Sequence, residues 1–304
     1  MNSYEIGFIG LGNMGGRMTK CIVSKNQPVI GFDMNTNAVE ESGATVAETI
    51  ETLVKNSDFV LLSLPDSSVV EKVMLGGSGA IAHAKPGQIF VDLSTASPKS
   101  TRMISDLLSK KGAHYLDAGI SGGAAAAEAG ALTLMVGGEI EILEKVRPIL
   151  ELFATNIYHL GAVGAGHVAK ILNNFLNAIS LSATSEVMVA GKKAGLDLAV
   201  LLDVFNKSSG VNFATLNRFP KIIKGDYLKG GLSNTLMMKD VVLYTDLIGE
   251  LGVVGLNAPG PLASFGLAKA LGYANEISNT VVDAIGDVSG GVRIQSQTSE
   301  ETKQ

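Results

Sequence analysis

The pattern of apolar and polar positions changes once along this chain of 304 residues. As far as residue 160, short apolar runs bounded by Gly, Pro or Asp alternate with helical periodicity, which predicts buried parallel strands connected by helices. Beyond residue 163 only helical periodicity continues. The predicted strands are 4–10, 28–32, 58–64, 88–92, 113–118, 131–136 and 156–160. The main predicted helices are 13–25, 46–54, one starting at 98, 139–153, 166–194, 199–207, 213–224, 233–251, 261–271 and 276–285.

This change of pattern predicts two domains and a tail. The fold class is α/β: a Rossmann-type, doubly wound N-terminal domain over residues 1–162, then a long interdomain helix that opens an all-α C-terminal domain over 163–290. Residues 291–304 form a polar tail that we expect to fray.

A glycine-rich turn joins the first predicted strand to the first helix. It reads Gly10-Leu11-Gly12-Asn13-Met14-Gly15, which is G-x-G-x-x-G in the strand–turn–helix context that the motif needs. Such a turn lets backbone N–H groups at a helix start approach a pyrophosphate. Residues 10 to 14 are therefore predicted to bind a dinucleotide cofactor.

Asp33, at the end of the second predicted strand, decides between the two nicotinamide cofactors. A carboxylate there accepts hydrogen bonds from ribose hydroxyls and repels a 2′-phosphate, and no Arg follows it. NAD is therefore favoured, with NADP possible. The alternative is that Asp33 only caps the next helix.

Two further strand ends carry candidate cofactor contacts. In a parallel sheet, the loops at the carboxyl ends of the strands line the ligand site. Leu64 ends one predicted strand, Pro65 and Val69 follow it, and Thr95 follows the next strand. Ser97 is equally well explained as the cap of the helix that begins at Pro98.

The long helix carries a candidate base. Lys170 lies among apolar residues, and Asn174 follows four positions later on the same face. Burial lowers the pKa of a lysine towards neutrality, so Lys170 is suited to move a hydroxyl proton. The alternative is a surface charge. No histidine has a better placement, and no spacing of His, Cys or acids indicates a metal site.

A second glycine-rich turn, 119–123, follows another strand end. Its backbone N–H groups and the hydroxyl of Ser121 are suited to bind an anion, here a substrate carboxylate. A plain flexible connection explains the turn equally well.

Composition excludes several classes of protein. A net charge of −5 gives no basic face for nucleic acid. The single cysteine, Cys21, forms no intrachain disulfide and is read as a small buried hydrophobe. No signal peptide and no membrane-length apolar run are visible, which predicts a cytoplasmic protein without a membrane partner.

Four motifs in order resemble the β-hydroxyacid dehydrogenases, the family of 3-hydroxyisobutyrate dehydrogenase and tartronate semialdehyde reductase, related to 6-phosphogluconate dehydrogenase. The motifs are 7–15, 117–123, 164–174 and Lys239-Asp240, and the resemblance extends from residue 4 to about 285. It implies that Lys170 is catalytic, that Ser121, Gly122, Gly123 and Asn174 bind substrate, and that Thr95 and Lys239 contact the cofactor. On sequence alone, Lys239 would be a solvated helix charge.

The chain departs from the family pattern in the second motif. The family reads Asp-Ala-Pro-Val-Ser-Gly-Gly, and here Gly119-Ile120 replaces Pro-Val. We expect Gly119 to loosen the loop that aims Ser121.

These observations predict NAD-dependent hydride transfer on a small 3-hydroxy acid or its semialdehyde, with Lys170 as general acid and base. One alternative is an NADPH-preferring reductase of glyoxylate, tartronate or succinic semialdehyde. The other is a non-catalytic, dinucleotide-responsive binding protein. The apolar helices of the second half, and the resemblance, predict a homodimer or homotetramer.

Overall fold

The chain divides into two compact units. The computed structural model describes residues 5–228 and 230–295, and the units are Met1–Ile171 and Leu172–Gln304. The division falls inside helix α9 (Ala165–Lys193). The sequence-based domain bounds at 162/163 and 290/291 stay a prediction.

The first unit is built on one twisted sheet whose strand order is β3-β2-β1-β4-β5-β6-β7-β8. Strands β1 to β6 are parallel, β7 is antiparallel to β6, and β8 is parallel to β7. The order confirms the predicted Rossmann-type sheet. The strands are β1 Ile6–Ile9, β2 Val29–Phe32, β3 Thr45–Val46, β4 Phe59–Leu62, β5 Ile89–Asp92, β6 His114–Ser121, β7 Leu132–Gly137 and β8 Ala154–His159.

Continuous apolar runs form the central strands because both faces of the sheet are covered. Phe8 and Leu61 belong to one buried cluster. Their neighbours Ile9 and Leu62 belong to another cluster on the opposite face. The helices of this unit are α1 Gly15–Ser24, α2 Thr36–Ser42, α3 Ile50–Lys55, α4 Ser67–Met74, α5 Ala80–His83, α6 Pro98–Ser109, α7 Gly123–Glu128, α8 Ile140–Leu150 and the start of α9.

The second unit is helical and has its own apolar cluster, which includes Phe175, Phe219 and Phe265. After α9 its α-helices are α10 Leu198–Asn206, α11 Phe213–Asn217, α12 Phe219–Ile222, α13 Asn234–Glu250, α14 Pro259–Ala268 and α15 Val281–Val288. A π-helical turn, Lys269–Tyr273, follows α14, and a 3-10 turn, Ser278–Thr280, precedes α15.

Strand β6 is longer than predicted, which corrects one expectation. The predicted strand stops at residue 118, but β6 continues to Ser121, with Gly119 paired to Met135 and Ser121 paired to Thr133 of β7. Gly119 is buried inside this strand. The expectation that it loosens a loop is therefore wrong, because cross-strand pairing fixes its backbone.

Two smaller expectations also change. Cys21 is only partly buried, with its Sγ 3.2 Å from the carbonyl oxygen of Ala127. Of the predicted polar tail, residues 291–295 are described, and Ile294 is buried in the cluster of the second unit. Residues 296–304 lie outside the described residues. Within the described part of the chain, every helix is too short or too polar to cross a bilayer.

Candidate active site

The glycine-rich turn after β1 has room for a phosphate. Gly10 has φ +87°, and a Cβ there would lie 2.4 Å from the carbonyl oxygen of Ser63, so the close approach of the two loops requires glycine. At Gly12, a Cβ would have no neighbouring atom within 4 Å, so the space in front of the turn is open. Helix α1 starts directly afterwards at Gly15 and presents its first N–H groups here. The turn thus fits the pyrophosphate of a dinucleotide.

The other residues of this turn have separate surroundings. Leu11 is buried and Met14 packs against the core of the sheet. Asn13 is exposed, and the Arg17 guanidinium donates to its backbone carbonyl at 2.6 Å. Arg17 also pairs with Glu128 at 2.9 Å. Arg17 of α1, paired with Glu128 of α7, therefore fixes the exposed side of the turn.

The Asp33 carboxylate organises the same turn. Its Oδ2 accepts the Leu11 N–H at 2.7 Å, and its Oδ1 accepts the Asn35 N–H at 2.8 Å. Asn35, not Asp33, occupies the cap position of α2, so the reading of Asp33 as a helix cap is wrong. The half-buried carboxylate stays at the end of β2, where a ribose is expected and a 2′-phosphate is disfavoured.

The loops after β4 and β5 are tied to each other. The Leu64 N–H donates to the Ser94 Oγ at 2.9 Å, next to Thr95. The Leu64 side chain also reaches the glycine turn, 2.8 Å from where a Cβ of Gly10 would be. Gly10, Leu64 and the Thr95 loop therefore lie together at the carboxyl ends of β1, β4 and β5.

Pro65, Val69 and Ser97 also belong to the loops after β4 and β5 and the helices that follow them. Pro65 is exposed, and Val69 lies in the first turn of α4, where its N–H donates to Asp66 at 3.0 Å. The Ser97 Oγ accepts the Lys99 N–H at 3.3 Å, so Ser97 is the cap of α6.

The predicted substrate loop begins at the end of β6. Ser121 is the last residue of that strand, and the exposed Gly122 and Gly123 follow with φ of +126° and +69°. The backbone there is set by strand pairing on one side and α7 on the other, so the turn is not a plain flexible connection.

Lys170 is buried, with 8% of its surface exposed, on the second turn of α9. The surface-charge reading is therefore wrong. The first carbons of its side chain lie directly against Gly119 of β6, two residues before Ser121. Strand β6 thus contacts the lysine and also leads into the substrate loop.

A buried carboxylate anchors the start of α9. Asp117 is fully buried, and its two oxygens accept the Gly164 and His167 N–H groups, each at 2.7 Å. Charge-assisted bonds to the free N–H groups of a helix start are favourable. Asp117 therefore fixes the turn of helix that precedes Lys170.

His167 is buried beside this anchor. Its Nδ1 lies 2.7 Å from the Thr101 Oγ1, and that hydroxyl donates to the Ser97 carbonyl at 3.0 Å. With the hydroxyl proton used there, the imidazole donates from Nδ1. His167 thus connects α9 to α6.

Tyr115 and Asp92 complete the polar cluster under α9. The Tyr115 hydroxyl donates to Asp92 Oδ2 at 2.8 Å, and the His167 Nε2 lies 3.9 Å from the same oxygen. Burial raises the pKa of Tyr115 well above its ordinary value, and the Asp92 carboxylate raises it further. Tyr115 therefore remains a neutral hydrogen-bond donor.

In the second unit, Asp240 joins two predicted site residues. Its Oδ2 accepts from the Asn174 Nδ2 at 2.5 Å, and its Oδ1 lies 2.9 Å from the Lys239 Nζ. Asn174 and Asp240 are buried, and the Lys239 side chain is only 23% exposed. The reading of Lys239 as a solvated helix charge is therefore wrong.

Asp117 and Asp240 are the site residues that the sequence analysis did not assign. Each stands inside a quoted motif, at the start of 117–123 and in Lys239-Asp240. Their acidity in those motifs was the available signal, but the N–H donors that they bind, Gly164, His167 and Asn174, lie 47 to 66 positions away in the chain. Among the described residues, no group of three His, Cys, Asp or Glu side chains is arranged to hold a metal ion.

Comparisons with known proteins agree with this geometry. Residues 5–161 match the family model described as the NAD-binding domain of 6-phosphogluconate dehydrogenase. Residues 164–262 match the one described as NAD-binding of NADP-dependent 3-hydroxyisobutyrate dehydrogenase. The two matches follow one another along the chain and leave residues 1–4, 162–163 and 263–304 unmatched.

Individual relatives cover most of the chain. The 2-(hydroxymethyl)glutarate dehydrogenase of Eubacterium barkeri is 35% identical over 296 residues, which are 95% of this chain and 97% of that protein. The NAD-dependent L-serine dehydrogenase of Pseudomonas aeruginosa is 39% identical over 79% of this chain and 83% of its own length. A solved structure of Mycobacterium tuberculosis 3-hydroxyisobutyrate dehydrogenase with L-serine has a TM-score of 0.83 at 30% identity, covering 93% of this chain and 99% of its own.

A sheet of this order, with a glycine turn and an acidic residue at the second strand end, is typical of a dinucleotide-binding domain. With the matches above, the chain belongs to the β-hydroxyacid dehydrogenase family. Its predicted family, fold class and enzyme class are thereby confirmed, as is a nicotinamide dinucleotide as cofactor. The chain is an NAD(P)-dependent enzyme that transfers hydride on small hydroxy acids, and the alternative of a non-catalytic binding protein is not supported.

Proposed function

We propose that the chain interconverts a small 3-hydroxy acid and its semialdehyde, with NAD as the preferred cofactor. The observation that carries this proposal is the burial of Lys170 against the strand that ends in Ser121. When bound, the nicotinamide accepts the hydride of the alcohol carbon. The protein must then remove the hydroxyl proton and hold the carboxylate.

Lys170 takes the first of these roles. Its amine accepts the hydroxyl proton as the carbonyl forms and returns it in the reverse reaction, and its charged form stabilises the developing alkoxide. The Ser121 hydroxyl and the backbone N–H groups of Gly122 and Gly123 bind the substrate carboxylate. Asn174, whose amide is fixed by Asp240, binds substrate.

The cofactor has contacts from several elements in this proposal. The glycine turn holds the pyrophosphate, Asp33 accepts from the ribose, and the family resemblance assigns Lys239 to the nicotinamide end. The proposed cofactor-binding residues are Gly10, Leu11, Gly12, Asn13, Met14, Asp33, Leu64, Pro65, Val69, Thr95 and Lys239.

The names of the relatives support the substrate class. 2-(Hydroxymethyl)glutarate, L-serine and 3-hydroxyisobutyrate each carry a hydroxymethyl group on the carbon that bears the carboxylate. A carboxylate site at the end of β6 and a proton acceptor at Lys170 suit that shared group. We infer that the substrate of this chain carries it as well.

Replacing the lysine tests the assignment. We expect Lys170→Ala to lower kcat for 3-hydroxy acids by at least about 10³-fold, because the general base is lost, while NADH still binds. The matched control is Lys192→Ala, an exposed lysine in the last turn of the same helix, with kcat within about twofold. Turnover retained in Lys170→Ala would contradict the proposed role.

The same assays with both cofactors test the NAD preference. The Asp33 carboxylate at the end of β2 predicts a higher kcat/KM with NAD than with NADP. A strong preference for NADPH, with glyoxylate or succinic semialdehyde as the better substrate, would favour the alternative reductase.

We also propose that the chain forms a homodimer or homotetramer. Apolar side chains of the helical unit remain exposed, among them Val200 and Phe213. The cytoplasmic location inferred from the sequence stays a prediction.

A further inference from the structure

Arg218 is a partly buried positive charge at the junction of α11 and α12. Its Nη1 donates to the Asn279 Oδ1 at 2.7 Å, and its Nη2 donates to the Asn177 Oδ1 at 2.9 Å. The guanidinium carbon also lies over the Phe213 ring, 5.8 Å from the ring centroid. Helix α9, helix α11 and the 3-10 turn therefore all contact this one guanidinium.

The charge of Arg218 is not neutralised within the protein. Among the described residues, no carboxylate forms an ion pair with its guanidinium, and the acceptors Asn177 and Asn279 are neutral amides. Burial lowers the pKa of Arg218 to about 10, and no carboxylate opposes this shift. A charge removed from water without a negative partner is costly, and a bound anion would relieve that cost.

The guanidinium also retains donors for a ligand. Asn279 and Asn177 accept from Nη1 and Nη2, and a guanidinium has a second N–H on each of these nitrogens and another on Nε. Within residues 5–228 and 230–295, no side-chain or backbone acceptor is bonded to these remaining donors. A planar fork of such donors matches the two oxygens of a carboxylate. The amides thus hold the fork in place and leave part of it for an anion.

Arg218 is bonded to the helix that carries Asn174. Asn177 follows Asn174 by three positions on α9, so the two amides lie on the same side of the helix, about 4.5 Å apart along its axis. Asp240 fixes the first amide and Arg218 the second. A ligand that is held at Asn174 and extends along this side of α9 therefore reaches the guanidinium. The adjacent Phe213, which is 57% exposed, offers apolar surface to a carbon chain.

We propose that Arg218 binds a second carboxylate of the substrate, so that the preferred substrates are dicarboxylic 3-hydroxy acids and their semialdehydes. This inference rests on the proposed function, in which Asn174 binds substrate and the Ser121 loop binds the first carboxylate. A short carbon chain along α9 joins the two ends of the substrate. Arg218 takes no part in hydride or proton transfer, and it determines specificity.

Pairs of substrates that differ only at the far end test the proposal in the native enzyme. 2-(Hydroxymethyl)succinate is compared with 2-(hydroxymethyl)butanoate, and 2-(hydroxymethyl)glutarate with 2-(hydroxymethyl)pentanoate, so that a methyl group replaces the second carboxylate. We expect kcat/KM to be at least about tenfold higher for the dicarboxylic member of the better pair, because only that member forms charge-assisted bonds to the guanidinium. Equal values within both pairs would overturn the proposal.

Arg218→Gln tests the residue itself. We expect KM for the dicarboxylic member to rise about 10- to 100-fold with kcat within about threefold, because the lost contact lies away from the reacting carbon. KM for the monocarboxylic member should stay within about threefold. Arg218→Lys, which keeps the charge without the fork, should give an intermediate KM, and it replaces Arg218→Gln if that variant does not fold. Equal rises for both members would indicate a structural role only and would overturn the proposal.

Lys221→Gln is the matched control. It removes the same charge three positions later, from an exposed side chain of α12. We expect KM for the dicarboxylic member to stay within about twofold of the native value. A rise as large as in Arg218→Gln would mean that the general positive charge of this segment attracts dicarboxylates, and the proposed site would be excluded.

A binding measurement separates this inference from the proposed function. Isothermal titration calorimetry of the NADH complex compares glutarate with pentanoate, neither of which has a hydroxyl group to oxidise. Glutarate should bind at least about tenfold more tightly, and Arg218→Gln should abolish the difference. If Lys170→Ala retains activity, the proposed function fails, and this titration still tests Arg218. If Lys170→Ala is inactive and glutarate binds no better than pentanoate, only the role of Arg218 fails.

Discussion

Asp240 holds two proposed site residues at once, because its two oxygens have different partners. One accepts from the Asn174 amide and the other pairs with the Lys239 ammonium. A buried carboxylate with a positive partner and a hydrogen-bond donor is stable, and removing it leaves both partners without their acceptor. Asp240 thus orients the Asn174 amide and the Lys239 ammonium, and it can do so without contacting a ligand itself.

We predict that Asp240→Asn lowers kcat/KM for the hydroxy acid by about 10- to 100-fold. The neutral amide loses the ion pair with Lys239, and it has one acceptor oxygen where Asn174 and Lys239 together need two. Asp246→Asn is the matched control, because it makes the same charge change on the exposed side of the same helix, α13. Steady-state kinetics of both variants test this prediction. Equal losses of kcat/KM in Asp240→Asn and Asp246→Asn would mean that the net charge matters and that this contact does not.

Residues of the site were predictable from the sequence where the signal was local. Lys170 and Asn174 stand four residues apart on one helical pattern, and the glycine turn directly follows its strand. Spacing along the chain therefore indicated the lysine–asparagine pair and the turn. Asp240 depends on Asn174, 66 positions earlier, and only the tertiary fold brings them together. The same holds for Asp117, whose partners start 47 positions later.

At the scale of elements, α9 depends on a helix cap that comes from a strand. Six of the described helices are capped by the side chain of the residue just before them, as Asp197 caps α10 through the Ala199 and Val200 N–H groups at 2.8 and 3.1 Å. The cap of α9 comes from Asp117 in β6, and it is fully buried. Water cannot replace it.

We therefore predict different costs for the two caps. Asp117→Ala should lower the free energy of unfolding by about 2–4 kcal/mol, because two buried N–H groups lose their acceptor. Asp197→Ala should cost about 1 kcal/mol, since water reaches the exposed cap of α10. Urea unfolding of the two variants measures both values, and equal losses would contradict a special role of Asp117.

Most elements were predictable because their patterns are strong. The central strands are short apolar runs with few alternatives, and α9 has a long helical pattern. The structure differs from the prediction where a single residue interrupts an otherwise helical pattern. The predicted helix 213–224 divides into α11 and α12, because Pro220 lacks the N–H that would continue it.

Elements with little apolar surface were missed. Helix α2 buries only Val39 and Ser42, and β3 contributes two residues at the edge of the sheet. Strand β6 passes through Gly119, a residue that weakens strands, and its extension is fixed by pairing with β7. Pairing between distant segments cannot be seen in a local pattern.

At the scale of the whole molecule, the proposed oligomer offers a partner for an exposed apolar surface on and beside α10. Val200 and Val204 lie four residues apart on α10 and are 60% and 52% exposed, and Leu196, just before this helix, is 50% exposed. Such a surface is buried at little cost by a second copy of the chain, since homo-oligomers bury the same patch on each subunit.

We predict that the double variant Val200→Asp/Val204→Asp shifts the protein towards monomers, because two carboxylates would be buried in the interface. Size-exclusion chromatography with light scattering measures the mass. Met103→Asp is the control, an exposed apolar residue on α6 between Lys99 and Asp106. A native chain that is monomeric at micromolar concentration would contradict the prediction.

Each unit has a packed tyrosine, buried Tyr115 in the first and partly buried Tyr244 in the second, that we expect to give a separate optical signal. The chain has no tryptophan, so its near-ultraviolet circular dichroism arises mainly from 6 tyrosines and 10 phenylalanines. Tyr115 is fixed under α9 in the first unit, and Tyr244 is stacked on Phe175 in the second, with ring centroids 3.6 Å apart. Rigid aromatic side chains produce dichroism that disappears when their packing is lost. Spectra of Tyr115→Phe and Tyr244→Leu would assign the bands, after which the melting of each unit can be followed separately without any attached dye.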